Sequence, residues 1–396
     1  MRILMMKGQS QYGGTRLFAD LAAAALARRG HHVDMLDLGE AESAGMLVLQ
    51  HAASGPPSYG LIFTINIAGE FKDSAGRRLK DLYGAPHVVW HTDYILSKAE
   101  RVRETPGSTA LLLVDPTQVD AVRAIYGPER FAHLAFFPHP AVGEPAPDDA
   151  TVAQFIERRP IQVLWSGGFQ KPDTPWKGVE GPARQLLQDA LDLALSVEWM
   201  APHEALDQVM ASRGLDLTAP PIRAAREAAA LLDVEVRMTR RFEFLKAVAK
   251  TGLPLHIVGA GWEGQLYRFK NATFEGAVEM TRMAELMRSA RVVLNTNGNF
   301  GAGSHERPFS ASLAGAATFS DYSRYYGQVF EAGANIELFH WQDLAGGMAQ
   351  LKALAEDPDR AFAHARAAKA ITLGGHTWDH RIDLVLQAGE AVRASA

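Results

Sequence analysis

From Asn295 to Arg307 the chain reads Asn-Thr-Asn-Gly-Asn-Phe-Gly-Ala-Gly-Ser-His-Glu-Arg, three spaced amides and three glycines leading into an imidazole, a carboxylate and a guanidinium. Pro308 follows, a residue suited to the first turn of a helix, where its missing N–H is not needed. A helix starting near Arg307 would present unpaired N–H groups and a partial positive charge, and His305 or Arg307 would add to that field. Such a start suits a phosphate or diphosphate. Glu306 would accept hydrogen bonds from ligand hydroxyls or orient Arg307, while Asn295 and Asn297 would add donors from the end of the preceding strand. The same letters describe an ordinary capped helix with a solvated charge cluster. The number of convergent donors favours the ligand.

Trp90-His91-Thr92-Asp93 is a second chemical cluster. A carboxylate within reach of an imidazole can act as general base on a hydroxyl; the alternative is a loop in which Asp93 caps the next helix. Tyr12-Gly13-Gly14 opens the first helix and is expected to face the same cleft. Two glycine turns follow strands, at Gly167-Gly168 and at Gly259-Ala-Gly261-Trp262-Glu-Gly264. The second matches the dinucleotide fingerprint letter for letter, but only Gln265 to Asn271 separates it from the next strand. That is too little for the crossover helix the fingerprint requires. A nicotinamide or flavin cofactor is therefore not expected. His139, between Pro138 and Pro140, reads as an exposed histidine of a prolyl turn, and Asp357-Pro358-Asp359 as a helix cap rather than a metal site.

These residues need a frame. Apolar strands alternate with alanine-rich helices from Arg2 onward, the pattern of parallel sheets covered on both faces. The series runs to Phe137, pauses at a Pro, Gly and acid-rich stretch read as a linker, Ala141 to Asp149, and restarts at Ile161. A chain of 396 residues exceeds one ordinary core. The division expected is a first domain over 1–150, a second over 151–375 with a helical segment at 181–250, and a closing helix over 376–396. Two open α/β sheets bind ligands at the carboxyl ends of their strands, so a cleft between the domains is expected. The net charge of -5 gives no field for nucleic acid, and the absence of cysteine removes thiolate chemistry and disulfides. No apolar run reaches the length of a membrane span or a signal peptide, which points to the cytoplasm.

The segment NTNGNFGAGSHERPFSASLAGAATFSDYSRYY resembles the donor-side motif of GT-B glycosyltransferases, group 1-like, in particular the spore-maturation-protein (CgeB-type) branch. The likeness continues in LHIVGAGW, in GAVEMTRMAELMRSARVVLN and in the late HTWDHR, covering most of 251–382. The resemblance implies two Rossmann-like domains facing each other across a cleft, with the last helix crossing back to the first. It implies a nucleoside-diphosphate-sugar donor on the second domain, an unidentified acceptor toward the first, and no obligatory metal or cofactor. Donor contacts would come from Gly167, Gly168, Gly259, Gly261, Trp262, Asn295, Asn297, His305, Glu306, Arg307 and Ser310. Tyr12, Gly13 and Gly14 would lie on the acceptor side, and Asp93, His91 and Glu306 would be catalytic. In the wider retaining enzymes of this fold two glutamates eight positions apart flank this loop; here Ala302 and Ser310 stand at those positions. A metal-independent glycosyltransferase is the expectation, and a non-catalytic nucleotide-sugar or glycan-binding module of the same fold is the alternative. A periplasmic-type sensor would need a signal peptide, and the sequence does not speak to oligomeric state.

Overall fold

A computed structural model describes residues 1–39, 41–178 and 180–395. The chain divides into two compact units, one of Met1–His139 with Thr377–Ala396, the other of Pro140–His376. Unit 1 holds six strands: β1 (Arg2–Lys7), β2 (His32–Asp37), β3 (Leu61–Ile65), β4 (His87–His91), β5 (Thr109–Leu113) and β6 (His133–Phe136). They form one sheet in the order β2-β1-β3-β4-β5-β6, with every pairing parallel. β3, β4 and β5 are buried along their whole length, which is why they read as mostly apolar runs without polar alternation. The first helix, Gly14–Arg28, ends before Gly30, whose φ of 79° needs no Cβ penalty.

Unit 2 repeats the plan. Its strands are β7 (Ile161–Ser166), β8 (Leu255–Val258), β9 (Ala272–Glu275), β10 (Ala290–Asn295), β11 (Ala317–Asp321) and β12 (Glu337–Phe339), ordered β12-β11-β10-β7-β8-β9. All are parallel. Between β7 and β8 the chain makes four α-helices, Pro182–Ser196, Pro202–Ser212, Pro220–Ala225 and the long Ala229–Lys250. Phe244, Phe319 and Phe339 stack nearly parallel across the core, with neighbouring ring centroids 5.1 to 6.2 Å apart.

One boundary differs from the sequence reading. The stretch read as a linker, Ala141 to Asp149, belongs to unit 2: Ala141, Val142 and Ala146 are buried, Val142 N donates to Ser310 Oγ (3.0 Å) and Ala146 N to Leu313 O (2.9 Å). Its prolines and glycine permit an extended strap whose polar groups are satisfied by the body of the unit. The last helix, Trp378–Ala394, packs in unit 1 against the first helix and β4. Trp378 lies 5.5 Å from Trp90, centroid to centroid, and Arg381 Nε donates to Pro138 O at 2.8 Å. No helix among the described residues is long and apolar enough to cross a membrane.

Candidate active site

In an open parallel sheet the crevice lies where the strand order reverses, and in unit 2 that point is between β7 and β10. Ser166 ends β7 and Asn295 ends β10, and both are buried. Arg307 joins them: its Nε donates to Ser166 Oγ (2.7 Å) and its Nη1 to Asn295 Oδ1 (2.5 Å), with the guanidinium carbon 5.9 Å from the centre of the Trp165 ring. Asn295 Nδ2 in turn donates to Ser320 Oγ at 2.9 Å. The guanidinium is thus fixed on two strand ends before any ligand arrives.

The loop between β10 and the helix Glu306–Leu313 is held from several sides. Asn297 N donates to Asp321 Oδ1 (2.7 Å), and Asn297 Nδ2 lies 3.1 Å from Phe300 O and 3.2 Å from Gly303 O. Tyr326 accepts from His305 N (2.8 Å) and donates to Asn297 Oδ1 (3.0 Å). Behind the loop, Arg240 donates to Gly298 O, Ala194 O and Val197 O, tying it to the helical segment. Asn297 is therefore a brace rather than an open donor.

His305 stands at the cap of the helix. Its Nδ1 is 2.5 Å from Glu306 Oε2 and 3.4 Å from Arg307 N. The shorter contact decides the tautomer, with the proton on Nδ1 donated to Glu306. Burial lowers the pKa of His305, against an upward pull from Glu306, so the ring is neutral at pH 7. Ser310 is buried one turn on, accepting from Val142 N and donating to Glu306 O at 2.9 Å. Its hydroxyl is consumed by the strap and by its own helix.

Sequence reasoning takes the basic pair Arg240-Arg241 of the long helix as core packing and a solvated face, and brings neither Arg237 nor Arg241 to this site. Arg241 Nη1 donates to Gly168 O (2.9 Å), and Arg237 pairs with Asp233 at 3.4 Å. Burial, then the charges of Arg237 and Arg307, lowers Arg241 to about 9, against the pull of Asp233 and Glu306. It stays protonated at neutral pH. Three guanidinium groups from two segments therefore act on one place with two carboxylates to offset them. The available signal was the i, i+4 spacing of Arg237 and Arg241, which puts both on one helix face.

The glycine turns have a steric role. A Cβ on Gly261, whose φ is 87°, would lie 1.8 Å from Phe169 O, and one on Gly259 would lie 2.5 Å from Gly167 O. The two turns are stacked on one another, with Trp262 Nε1 donating to Gly167 O at 2.7 Å. Between Trp262 and β9 the chain makes only the short 3-10 turn Glu263–Arg268, which contains Gly264, so no crossover helix follows the fingerprint. Gly261→Ala is expected to destabilise the chain by about 2–4 kcal/mol through clash and backbone strain, read as a lower urea midpoint.

Asp321, at the end of β11, also accepts from Trp341 Nε1 at 3.1 Å. Burial raises its carboxyl from 3.8 to about 6, against those hydrogen bonds and Arg240. The folded chain thus holds this proton more tightly than the unfolded one: the contribution of Asp321 to stability grows as pH falls from about 6 toward 4, and its ionisation is a full penalty above about 6. Asp321→Asn should remove that slope. Urea midpoints of both chains between roughly pH 4 and 8 test this, and parallel curves would refute it.

In unit 1 the strand order reverses between β1 and β3. A cavity of about 580 Å³ opens there, lined by the loop after β1 (Ser10, Gln11), by Asn66 after β3 and by Thr92 and Asp93 after β4. Of the positions expected on this side, Asp93 lines the cavity and is exposed, while Tyr12, Gly13 and Gly14 sit one step back, with Ser10, Gln11 and Thr15 in front. Tyr12 hydroxyl accepts from Gln11 Nε2 at 3.0 Å. His91 does not join Asp93. It is buried within β4, burial and then the charges of Arg101 and Lys98 hold it down to about 3, and neither ring nitrogen has a partner among the described residues. An imidazole so hard to protonate cannot share a proton with Asp93 near neutral pH. His139 is also buried, 5.3 Å from Trp90 and 6.5 Å from Phe18 between ring centroids, so it is a core residue and not an exposed turn. Asp357 caps Pro358–Gly375 by accepting from Arg360 N at 3.0 Å.

Residues 240–387 match a family model described as "Glycosyl transferase-like". No curated protein matches the sequence. Among solved structures, a sucrose-phosphate synthase from Thermosynechococcus elongatus is 13% identical with a TM-score of 0.57, each chain being covered in full. AviGT4, a glycosyltransferase involved in avilamycin A biosynthesis, is 13% identical with a TM-score of 0.52, covering 100% of this chain and 98% of its own. An alpha-glucosyltransferase in complex with UDP and a 13-mer DNA is 12% identical with a TM-score of 0.52, covering 98% of this chain and all of its own. Two six-stranded parallel sheets in tandem, matched along the whole chain to these proteins, are the GT-B fold.

Proposed function

We propose that this chain of GT-B fold is a glycosyltransferase that takes a sugar from a nucleoside-diphosphate sugar held by unit 2 and passes it to a hydroxylated acceptor received by unit 1. The observation that carries this reading is the convergence of Arg307, Arg241 and Arg237 near the carboxyl end of β7, three guanidinium groups beside two carboxylates, Asp233 and Glu306, a surplus of positive charge that an anion would meet. A diphosphate has the charge and breadth to meet all three. The UDP in the alpha-glucosyltransferase of the same fold is a ligand of that kind.

In transfer, the bond from the anomeric carbon to the diphosphate oxygen breaks and a bond to the acceptor oxygen forms. Arg307 and Arg241 stabilise the charge that builds on the leaving diphosphate, the work a bound cation does elsewhere, and being preorganised they need no rearrangement to do it. We take the reaction to be metal-independent, so excess EDTA should leave the rate unchanged. Glu306, oriented by His305, accepts from hydroxyls of the donor. Asp93 takes the acceptor proton if the configuration inverts, a role His91 cannot share.

A second reading, a nucleotide-sugar or glycan-binding module, draws on one observation: Ser310 offers neither a carboxylate nor an uncommitted hydroxyl to a ribose. Calorimetric titration with UDP, GDP, TDP and CMP, followed by assay of sugar-nucleotide hydrolysis, separates the two. Binding with slow hydrolysis supports the transferase, binding with no turnover under any acceptor supports the module, and no binding sinks both.

A further inference from the structure

The cavity of unit 1 is built by a latch. Asn66 adopts a left-handed backbone (φ 58°), a conformation that non-glycine residues hold mainly where the surroundings demand it. Its Nδ2 donates to Thr92 Oγ1 (2.8 Å) and its Oδ1 accepts from Thr92 N (2.9 Å), fixing the loop after β3 to the loop after β4. Arg101 Nη1 donates to Asn66 O (2.8 Å) and lies 3.6 Å from Glu70, whose other oxygen accepts from Ala68 N. Arg101 and Glu70 are thereby used in building the wall.

Two charged groups on the lining are left uncommitted. Neither Asp93 nor Lys98 has a hydrogen-bond or ion-pair partner among the described residues. The floor beneath them is apolar, from Leu38, Ile65, Ile67 and Phe71, a surface suited to the carbon face of a sugar ring. About 580 Å³ admits a molecule of one or two sugar rings whole.

We propose that this pocket receives a compact hydroxylated molecule bearing one anionic group, the chemistry shared by sugar phosphates and sugar acids, with Lys98 pairing the anion and Asp93 facing a hydroxyl. This names the acceptor class and rests on the reading of unit 1 as the acceptor side. The apolar floor and the volume fit a small acceptor, and the lone ammonium selects a charged one over its neutral parent.

The test is calorimetry on the full chain with glucose, mannose and galactose, each as the free sugar, the 6-phosphate and the uronate, with UDP titrated in parallel. At least one charged form should bind at least about tenfold tighter than its neutral parent. Preference for the phosphate or the uronate distinguishes the two sources. Lys98→Ala should erase the difference, whereas Asp93→Asn, by removing a like charge, should hold or improve anion binding. A structural role for both residues would instead weaken binding in both variants. UDP affinity should be the same in all three chains. The proposal falls if no sugar binds, if charged and neutral forms bind alike, or if Lys98→Ala has no effect. Failure of UDP to bind while charged sugars do would overturn the transferase reading and leave the pocket assignment standing.

Discussion

Arg307→Ala is expected to weaken UDP binding by roughly ten- to a hundredfold or more, because a hydrogen bond to a charged group is worth about 1.5–3 kcal/mol and each 1.4 kcal/mol is a factor of ten. The substitution also leaves Ser166 Oγ and Asn295 Oδ1 without their guanidinium donor in a buried site, which costs about 1–3 kcal/mol per unsatisfied group. A lower melting temperature should therefore accompany the lost affinity. Arg241→Gln separates the two effects. Arg241 is tied to one carbonyl, Gly168 O, rather than to two buried side chains, so stability should fall by less than in Arg307→Ala while UDP affinity drops. Unchanged affinity in both variants would remove the diphosphate from this end of the sheet.

Asp93→Asn should slow sugar transfer by about 10²–10⁴-fold, the range for removing a general base, with UDP affinity unchanged because the residue belongs to the other unit. Asparagine keeps the size and removes the proton acceptor. A rate reduced by less than about tenfold would take Asp93 out of the chemistry. His91→Gln, by contrast, should act on stability alone, since the ring is buried away from the cavity lining.

The fold was legible because its strands are buried on both faces: β3, β4 and β5 leave no room for polar alternation, and the glycine turns that follow β7 and β8 mark their carboxyl ends. Arg307 could be placed from its position after β10 and at the start of a helix. What local spacing could not show was which polar side chains are already spent. Asn297 reads as a donor and is a brace; Ser310 reads as a ligand contact and holds the strap at Val142. His91 and Asp93 are two residues apart, yet a strand sends the first inward while the loop frees the second. Arg237 and Arg241 were not placed at the site for the opposite reason. They lie 69 and 65 residues before the helix that starts at Glu306, and a charge pair on a long helix looks like a solvated face until the sheet closes over it.

The return of Trp378 to the first unit sets a schedule for biogenesis. Unit 1 packs Trp90, Phe18 and Phe137 around that indole, but the ribosome must make all of Pro140–His376 before it is available. At about 5–20 residues per second the wait is on the order of 10–50 s. For that interval the nascent first unit carries an aromatic face with no cover, a site at which a chaperone would engage the chain and at which a message truncated before codon 378 would leave a sticky product.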